Sequence, residues 1–508
     1  MEDLEILSKF LKSNINIHPL ALQELKKNEN VNALVDRIIS EAQKTEKKPE
    51  VITPDFLEFL QLHKSIAEPT QQASAAASAP QIVVERPRKR FLAEEYEAEI
   101  KLKKDITKKS FSNGNIEGFV EYFNDRYERL AKILRSRDRL RDAATIEWIR
   151  NASFRGNVQI IGMVSEVRKS QKGHVILEIE DPTGVIPVLI LNSNRELLGI
   201  SREIVKDEVI GIEGNLGKSS DIVIANEIFF PDVPNDKEQN KSEAPLALAI
   251  ISDTHVGSTK FLEGEFLKFL KWLNGEIGSA KQVQLAERVK YLIVGGDPVD
   301  GVGIYPEQEG ELLIKDIHAQ YEKFAEFLSM VPRHIEIIIL PGNHDATRQA
   351  EPQPAISEEF AGRLYSDARV HMVGNPCWAT LHGVDVLSYH GRSLDDVVSN
   401  IPGMSYSQPD KAMLTLLKKR HLTPIYGDKV LLAPEVYDYM LIDEVPDIFH
   451  FGHVHTVGVT NYRGVTLINS GTFQQQTSFQ RKLNVVPTPA IVPVVDLQKQ
   501  TTTKMIFR

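Results

Sequence analysis

Cysteine is almost absent. Cys377 is the only one in 508 residues, which excludes an internal disulfide and a zinc cluster built on thiolates and fits a reducing, cytoplasmic setting. Long apolar runs are missing too. No stretch of about 18 apolar residues occurs, so none reads as a membrane span. The charged, amphipathic start MEDLEILSKFLKS does not read as a secretory signal. Nor is there an excess of positive charge. The 60 Lys and Arg against 70 Asp and Glu give a formal net charge of −10. No global basic field therefore draws the chain to nucleic acid, and any such attraction must come from a local patch or a partner. What remains, 42% hydrophobic and 26% charged, is ordinary for a soluble globular protein, and the length suggests about three domains.

Residues 1–67 read as a small helical domain, with apolar residues at helical spacing in LEILSKFLKSN, PLALQELKKN and VNALVDRIISEAQ and a Thr53-Pro54 helix start before DFLEFLQLHKSIA. So small a core suits a docking module better than an enzyme. Residues 68–114 read as a linker, low in complexity at first, then charged and disordered or loosely helical. Its basic cluster of Arg86, Arg88, Lys89 and Arg90 is either a phosphate patch or, more plainly, a solvated charge run. Residues 115–152 form a helical connector whose stripe is Phe119, Tyr122, Phe123, Tyr127, Leu130 and Leu134. Residues 153–234 give three strands, a helix and two strands, the order of an OB-fold. This stretch lacks a clear row of aromatics for base stacking, so a protein-facing barrel is as good a reading as a DNA-reading one. A polar linker, 235–245, precedes the last domain, 246–508.

In that domain five apolar runs each end in polar residues of metal-ligand type. They are LALAIISDTH (Leu246–His255), YLIVGGDPVD (Tyr291–Asp300), IEIIILPGNHD (Ile335–Asp345), VDVLSYHG (Val384–Gly391) and DIFHFGHVH (Asp447–His455). Short apolar runs bounded by Gly or Pro read as buried strands, and α/β sheets place their sites at strand C-terminal ends. Asp253 and His255 stand two apart, as do His453 and His455. If each segment is extended, both members of a pair point the same way and can converge. With Asp297, Asn343 and His390 they make an oxygen and imidazole set suited to hard or borderline divalent ions. Two such ions about 3.5–4 Å apart would suit in-line attack on phosphorus. Singly, Asp297 and Asn343 could be turn residues. The nine other histidines, His421 and His450 among them, read as surface or core residues.

D-x-H, G-D, G-N-H-D, H-G and G-H-x-H in this order form the signature of the calcineurin-like metallophosphoesterases, which the C-terminal half resembles. Longer stretches narrow the likeness: ISDTHVGS, LPGNHDATRQAEPQP, YHGRSLDD, SQPDKAMLTLLKKRHLTPIYG, and FGHVHTVG with INSGTFQQQT. Through them the whole chain resembles the small subunits of archaeal family D DNA polymerases, strongly from about residue 155 onward. The fold this implies is multidomain α+β: a helical N-terminal domain, an OB-fold and a two-sheet α/β metallophosphoesterase domain. The resemblance implies a 3′→5′ exonuclease that proofreads, with attack by a metal-bound hydroxide. Asp253, His255 and His455 would hold one ion, Asn343, His390 and His453 the other, and Asp297 would bridge. His344 would stand at the scissile phosphate with Asp345 orienting it, Asp300 would lie near the metals, and Arg348 and Arg392 are candidate phosphate contacts. The ions are foremost manganese, with Fe, Ni, Co and Zn compatible with the same ligands. The implied partners are a large catalytic polymerase subunit, DNA with a 3′ end and, through the complex, a sliding clamp. Nothing in the chain resembles a polymerase site, so that activity belongs to another polypeptide. Pro298 stands where relatives commonly carry an aliphatic residue, and a local turn adjustment is expected. A scaffold with a vestigial site and a stand-alone repair nuclease are the competing functions; seven intact ligands speak against the first and the preceding OB-fold against the second.

Overall fold

The computed structural model describes residues 91–508 except 113, 152–155, 218–220 and 483, together with 10, 13, 16–17, 35, 38–39 and 51–52. The chain divides into two units, Met1–Arg88 and Lys89–Arg508. In the first, Phe10, Val35 and Ile38 are helical and buried. Asn16–Ile17 pairs in parallel with Val51–Ile52, a strand pair too short to leave a period in the sequence. The Thr53-Pro54 start, the low-complexity stretch and the basic cluster lie outside the described residues.

In the second unit the apolar runs build two facing six-stranded sheets. The first has the order Val370–Met372, Glu336–Leu340, Val289–Gly295, Ala247–Ile251, Ile491–Asp496, Thr501–Ile506. Its first four strands are parallel, and the last two run antiparallel to their neighbours. The second sheet has the order Gly458–Tyr462, Val465–Asn469, Ile448–Phe451, Val384–Ser388, Cys377–Leu381, Ile100–Lys104. Both faces of a central strand are covered, which is why these runs are apolar without alternation. Leu248, Ile250, Ile293 and Ile338 face Ala379, Val386 and Ile448 across the sheets. Ala249, Ile251, Leu292 and Ile337 face outward onto Phe266, Phe269, Tyr321 and Phe324 of the covering helices.

The linker expectation fails at one place. Ile100–Lys104 is an edge strand, antiparallel to Cys377–Leu381. Its sequence, IKLKK, looked too charged for a sheet, but an edge needs backbone partners more than apolar faces, and edge charge blocks further pairing. Lys103 bridges Asp385 at 2.8 Å and Glu444 at 3.0 Å, and Lys104 bridges Asp443 at 3.1 Å.

The expected OB-fold is present as a closed barrel of Asn157–Lys169, Val175–Asp181, Gly184–Ile190, Val209–Leu216 and Val223–Phe229. A helix, Arg195–Ile200, lies between the third and fourth strands, capped by Asn194 accepting from Leu197 N. No helix among the described residues is long and apolar enough to cross a membrane.

Helix Ile116–Arg135 buries Tyr122, Leu130 and Leu134 of the expected stripe, but also Arg126. The Arg126 guanidinium, fully buried, meets Asp438 Oδ2 at 3.1 Å and donates to Pro424 O at 2.8 Å and Tyr122 Oη at 2.9 Å. His421 Nε2 reaches the same Asp438 oxygen at 2.7 Å. Burial alone would raise the Asp438 carboxyl; His421 and Arg126 instead hold it far below the carboxylate range. Burial and the neighbouring Arg126 push His421 down to about 4. Replacing Asp438 by Ala strands a buried cation and is expected to cost about 3–5 kcal/mol in urea denaturation. The depressed His421 stabilises the fold above the unfolded histidine value near 6.5 and loses that contribution as pH falls towards 4. The His421→Gln chain should therefore lose about 2–3 kcal/mol less than the unaltered chain between pH 7 and 4. Equal losses in the two would contradict this account.

Candidate metal centre

The expected ligands gather where the two sheets meet, just past strand C-terminal ends. Asp253 follows the strand ending at Ile251, Asp297 the one ending at Gly295, and Asn343 the one ending at Leu340. His390 follows Ser388 and His453 follows Phe451 on the opposite sheet. The D-x-H and H-x-H pairs are not extended, however. Asp253, His255, Asp297, His453 and His455 all have positive φ, between 50° and 66°. This left-handed geometry is uncommon for residues other than Gly and clusters at functional sites. The chain turns sharply after each strand, so the pairs converge through turns and not through strand alternation. The motif glycines serve the same crowding. A Cβ on Gly342 would strike the Asp297 carboxylate, and one on Gly452 would strike Ser252 Oγ and the Asp253 carboxylate.

Three groups have donor atoms within 4.8 Å of one another: Asp253, His255 and His455; His255, Asp297 and His344; and Asp253, Asp297 and His390. Their chemistry asks for a cation. His390 Nδ1 lies 2.9 Å from the Gly295 carbonyl, which can only accept, so Nδ1 carries the proton of the neutral ring. The Nε2 lone pair then faces two more acceptors, Asn343 Oδ1 at 3.1 Å and Asp297 Oδ2 at 3.3 Å. His255 Nε2 lies 3.0 Å from His455 Nε2. Asp253 Oδ1 is buried without any hydrogen-bond donor, 3.3 Å from His455 Nε2. Converging buried acceptors are costly unless a proton or metal sits among them. Against burial, Asp297 pushes His390 up to about 10, and Asp253 and Asp300 push His255 up to about 10. A divalent ion would supply the same positive charge with better geometry, so the residues fit the group.

His453 stands apart from these groups. Its Nε2 lies 3.1 Å from Asp395 Oδ2, which leaves Nδ1 as the nitrogen open to a cation. Its backbone N–H donates to Asp253 Oδ2 at 2.9 Å.

Around the candidate ligands lies a second layer that sequence reasoning largely missed. Asp300 Oδ1 sits 3.1 Å from His255 Nδ1, and Gln480 hydrogen-bonds His455 Nδ1 at 2.7 Å. The expected role of Asp345 is not what the geometry gives. Asp345 Oδ2 accepts from Asp297 N at 3.0 Å and Gly342 N at 2.7 Å, and Oδ1 accepts from Tyr321 Oη at 2.8 Å. It braces the two loops, while His344 is oriented by the Asp300 carbonyl, 2.7 Å from its Nδ1. Arg348 does not line the cleft. Its guanidinium ties down Pro352 O, Ser110 and Glu435, because the loop after G-N-H-D folds back on itself there. Arg392 does line it, held at 3.2 Å by Gln349. Pro298, lacking an N–H, contributes its carbonyl, which accepts from Val256 N and Thr254 Oγ1.

The family described as the B-type subunit of DNA polymerases alpha and epsilon matches residues 248–457, and an OB-fold nucleic acid binding domain matches 158–229. The DNA polymerase II small subunit of Methanothermobacter thermautotrophicus is 42% identical, over 97% of this chain and 98% of its own length. That of Archaeoglobus fulgidus is 47% identical, over 82% of this chain and 83% of its own length. The chain belongs to the family of archaeal DNA polymerase II small subunits. Membership accounts for the order of barrel and two-sheet domain, and the metallophosphoesterase arrangement is consistent with it.

The outer layer generates a test of the centre. Outer partners of metal-bound histidines typically govern about 10- to 100-fold in affinity. Asp300→Asn and Gln480→Ala should each weaken Mn²⁺ binding by that order in calorimetry while leaving the denaturation midpoint within experimental scatter. Asp297→Ala should abolish binding at one ion at least. Unaltered affinity in all three would mean that the cluster is not a metal centre.

Proposed function

We propose that this cluster is a two-metal phosphodiesterase that removes nucleotides from the 3′ end of DNA, and that the chain proofreads for a separate large polymerase subunit. The observation that carries the reading is the gathering of buried carboxylate, amide and imidazole acceptors around points that lack a donor, at the floor of an open cleft. Asp253, His255 and His455 would hold one ion, Asn343, His390 and His453 a second, with Asp297 between them. Manganese fits these nitrogen and oxygen donors, as do Fe, Ni, Co and Zn. Bound there, the ions would activate water and neutralise charge on the phosphate.

The chain's own groups supply the rest. His344 holds its proton on Nδ1 against the Asp300 carbonyl, so Nε2 is the atom free to hydrogen-bond a phosphate oxygen or to pass a proton to the leaving 3′ oxygen. Its backbone N–H donates to Asp297 Oδ1 at 2.8 Å, which fixes the ring relative to the shared carboxylate. Arg392, on the cleft wall, is the candidate contact for a non-bridging or upstream phosphate oxygen. The relatives are named as small subunits, which supports a large subunit as partner, and the barrel's likeness to nucleic-acid-binding OB-folds supports DNA as the shared ligand. A sliding clamp would be reached through the assembled complex.

The test is digestion of a 5′-labelled primer with a mismatched 3′ end by the assembled complex, with Mn²⁺ or with chelator. Shortening from the 3′ end is expected only with metal. His453→Ala should slow it by at least about 100-fold, the upper end of what an outer partner alone costs, with the complex still assembled. A complex that never shortens the primer would make this chain a scaffold.

A further inference from the structure

The two ends of the centre are walled differently. Near His390 and His453 the cleft carries Arg392 and Lys429, whereas near His255 and His455 it carries Tyr305 and Phe479. The Tyr305 ring centroid lies 6.4 Å from that of His344 and 6.4 Å from that of Phe479, and the Tyr305 and Phe479 rings are within 23° of parallel. Phe479 is 55% exposed. A phenyl ring left this far in water beside a polar centre gains little from packing.

Yet both rings are fixed. Tyr305 Oη donates to Glu311 Oε2 at 3.1 Å, and the other oxygen of Glu311 accepts from Ser478, the residue before Phe479. Gln480, the residue after it, hydrogen-bonds the candidate ligand His455. Gln480 is itself oriented, because its Oε1 accepts from Thr477 N at 3.1 Å. Phe479 is therefore held between a tether to the other ring and a tether to the metal centre. The cleft they border has a volume of about 470 Å³, within the range of small-molecule sites.

Resting on the nuclease reading of this site, we propose that Tyr305 and Phe479 form the wall on which the base of the 3′-terminal nucleotide stacks while its phosphodiester lies over the candidate metal ligands. An aromatic face accepts any of the four bases, since each has a π-face and no hydrogen-bond code is read. A proofreading site needs that tolerance, because any base can be the wrong one. The wall also selects for unpaired ends. A terminal base must leave its duplex stack to reach the rings, and that costs least when the base is mismatched or single-stranded. The barrel offers no clear row of aromatics, so the stacking surface is in the cleft and not on the barrel.

The experiment uses the full chain in complex with its large subunit. Two oligonucleotides carry, as the 3′-terminal residue, either 2-aminopurine or an abasic deoxyribose. Binding is read from 2-aminopurine fluorescence without added metal, and removal of the terminal residue is read with Mn²⁺. The unaltered complex should quench the fluorescence and remove both residues. Phe479→Ala should lose the quench and remove the base-bearing residue about tenfold more slowly, with the abasic residue removed at an unchanged rate. Phe479→Tyr and Tyr305→Phe, which keep the rings, should restore both readings. Equal slowing on both oligonucleotides, or none on either, would overturn the wall. If the unaltered complex removes neither residue, the nuclease reading fails, and the quench alone then decides: lost in Phe479→Ala it supports the wall, absent or unchanged it overturns it.

Discussion

Electron pairs held together without enough donors are the constraint on which this structure depends. Asp253, Asp297, Asn343 and four histidine nitrogens point at common spaces, although carboxylates and lone pairs repel one another most strongly where water is excluded. Two sheets brought face to face can do this because each strand ends at a fixed place and releases one loop. The left-handed turns at Asp253, His255, Asp297, His453 and His455 then aim the side chains inward. Such backbone costs on the order of 1–3 kcal/mol per residue and persists only when the surroundings determine it. The surroundings here are the fully buried inter-sheet core and the Asp345 carboxylate, which clamps the backbone of both the Asp297 and Gly342 loops.

Orientation of the imidazoles follows from what each second nitrogen meets. His344 and His390 are fixed by backbone carbonyls, of Asp300 and Gly295, whereas His255, His455 and His453 are fixed by the side chains of Asp300, Gln480 and Asp395. The two kinds of partner differ in consequence. A carbonyl fixes the tautomer whatever residue carries it, so it survives substitution. A carboxylate also raises the basicity of the ring, which favours the cationic or metal-bound form. The centre thus has three rings whose partners are adjustable by a single residue change and two whose partners are fixed by the fold.

That division also explains what could be read in advance. Five apolar runs ending in Asp, His or Asn were enough to foresee a two-sheet domain with its polar residues gathered at strand ends, because runs buried on both faces lose all alternation. The barrel was legible for a different reason: its strand, helix and turn order is long and regular. His421 and His450 were legible as core residues, and His450 is held between Ser388 and Ser470. The edge strand Ile100–Lys104 was not legible, since its stability comes from a backbone ladder to residues about 280 positions away and no local pattern records that. Asp395 and Gln480 escaped for the same reason. Their partners are distant in sequence, and an Asp in a helix or a Gln in a polar stretch is ordinary by itself. The assignment of Asp345 to His344 failed because adjacency in the chain was taken for adjacency in space, while Asp345 turns back to bond Tyr321 and two amides.

The barrel's attachment raises a last physical point. Its turn before Val209 is gripped by two buried cations from outside the barrel. Lys419 Nζ meets Glu208 Oε2 at 2.6 Å and Glu203 O at 2.7 Å, with both charged side chains almost wholly buried. Arg126 Nη1 donates to Asp207 O at 3.2 Å. Buried pairs of this kind add little net stability over an apolar replacement, yet each is expensive to break from one side. They are therefore poor glue and good registration. Apolar packing of Leu130 and Leu134 against Ile161 and Val209 would hold the barrel on the helix but would tolerate sliding. Lys419 and Arg126 do not tolerate it, because a shift of an ångström or two leaves a charge without its partner. A strand bound on the barrel would in this way enter the cleft at one fixed offset, and that offset, rather than affinity, is what a nuclease acting on a terminus needs from its binding domain.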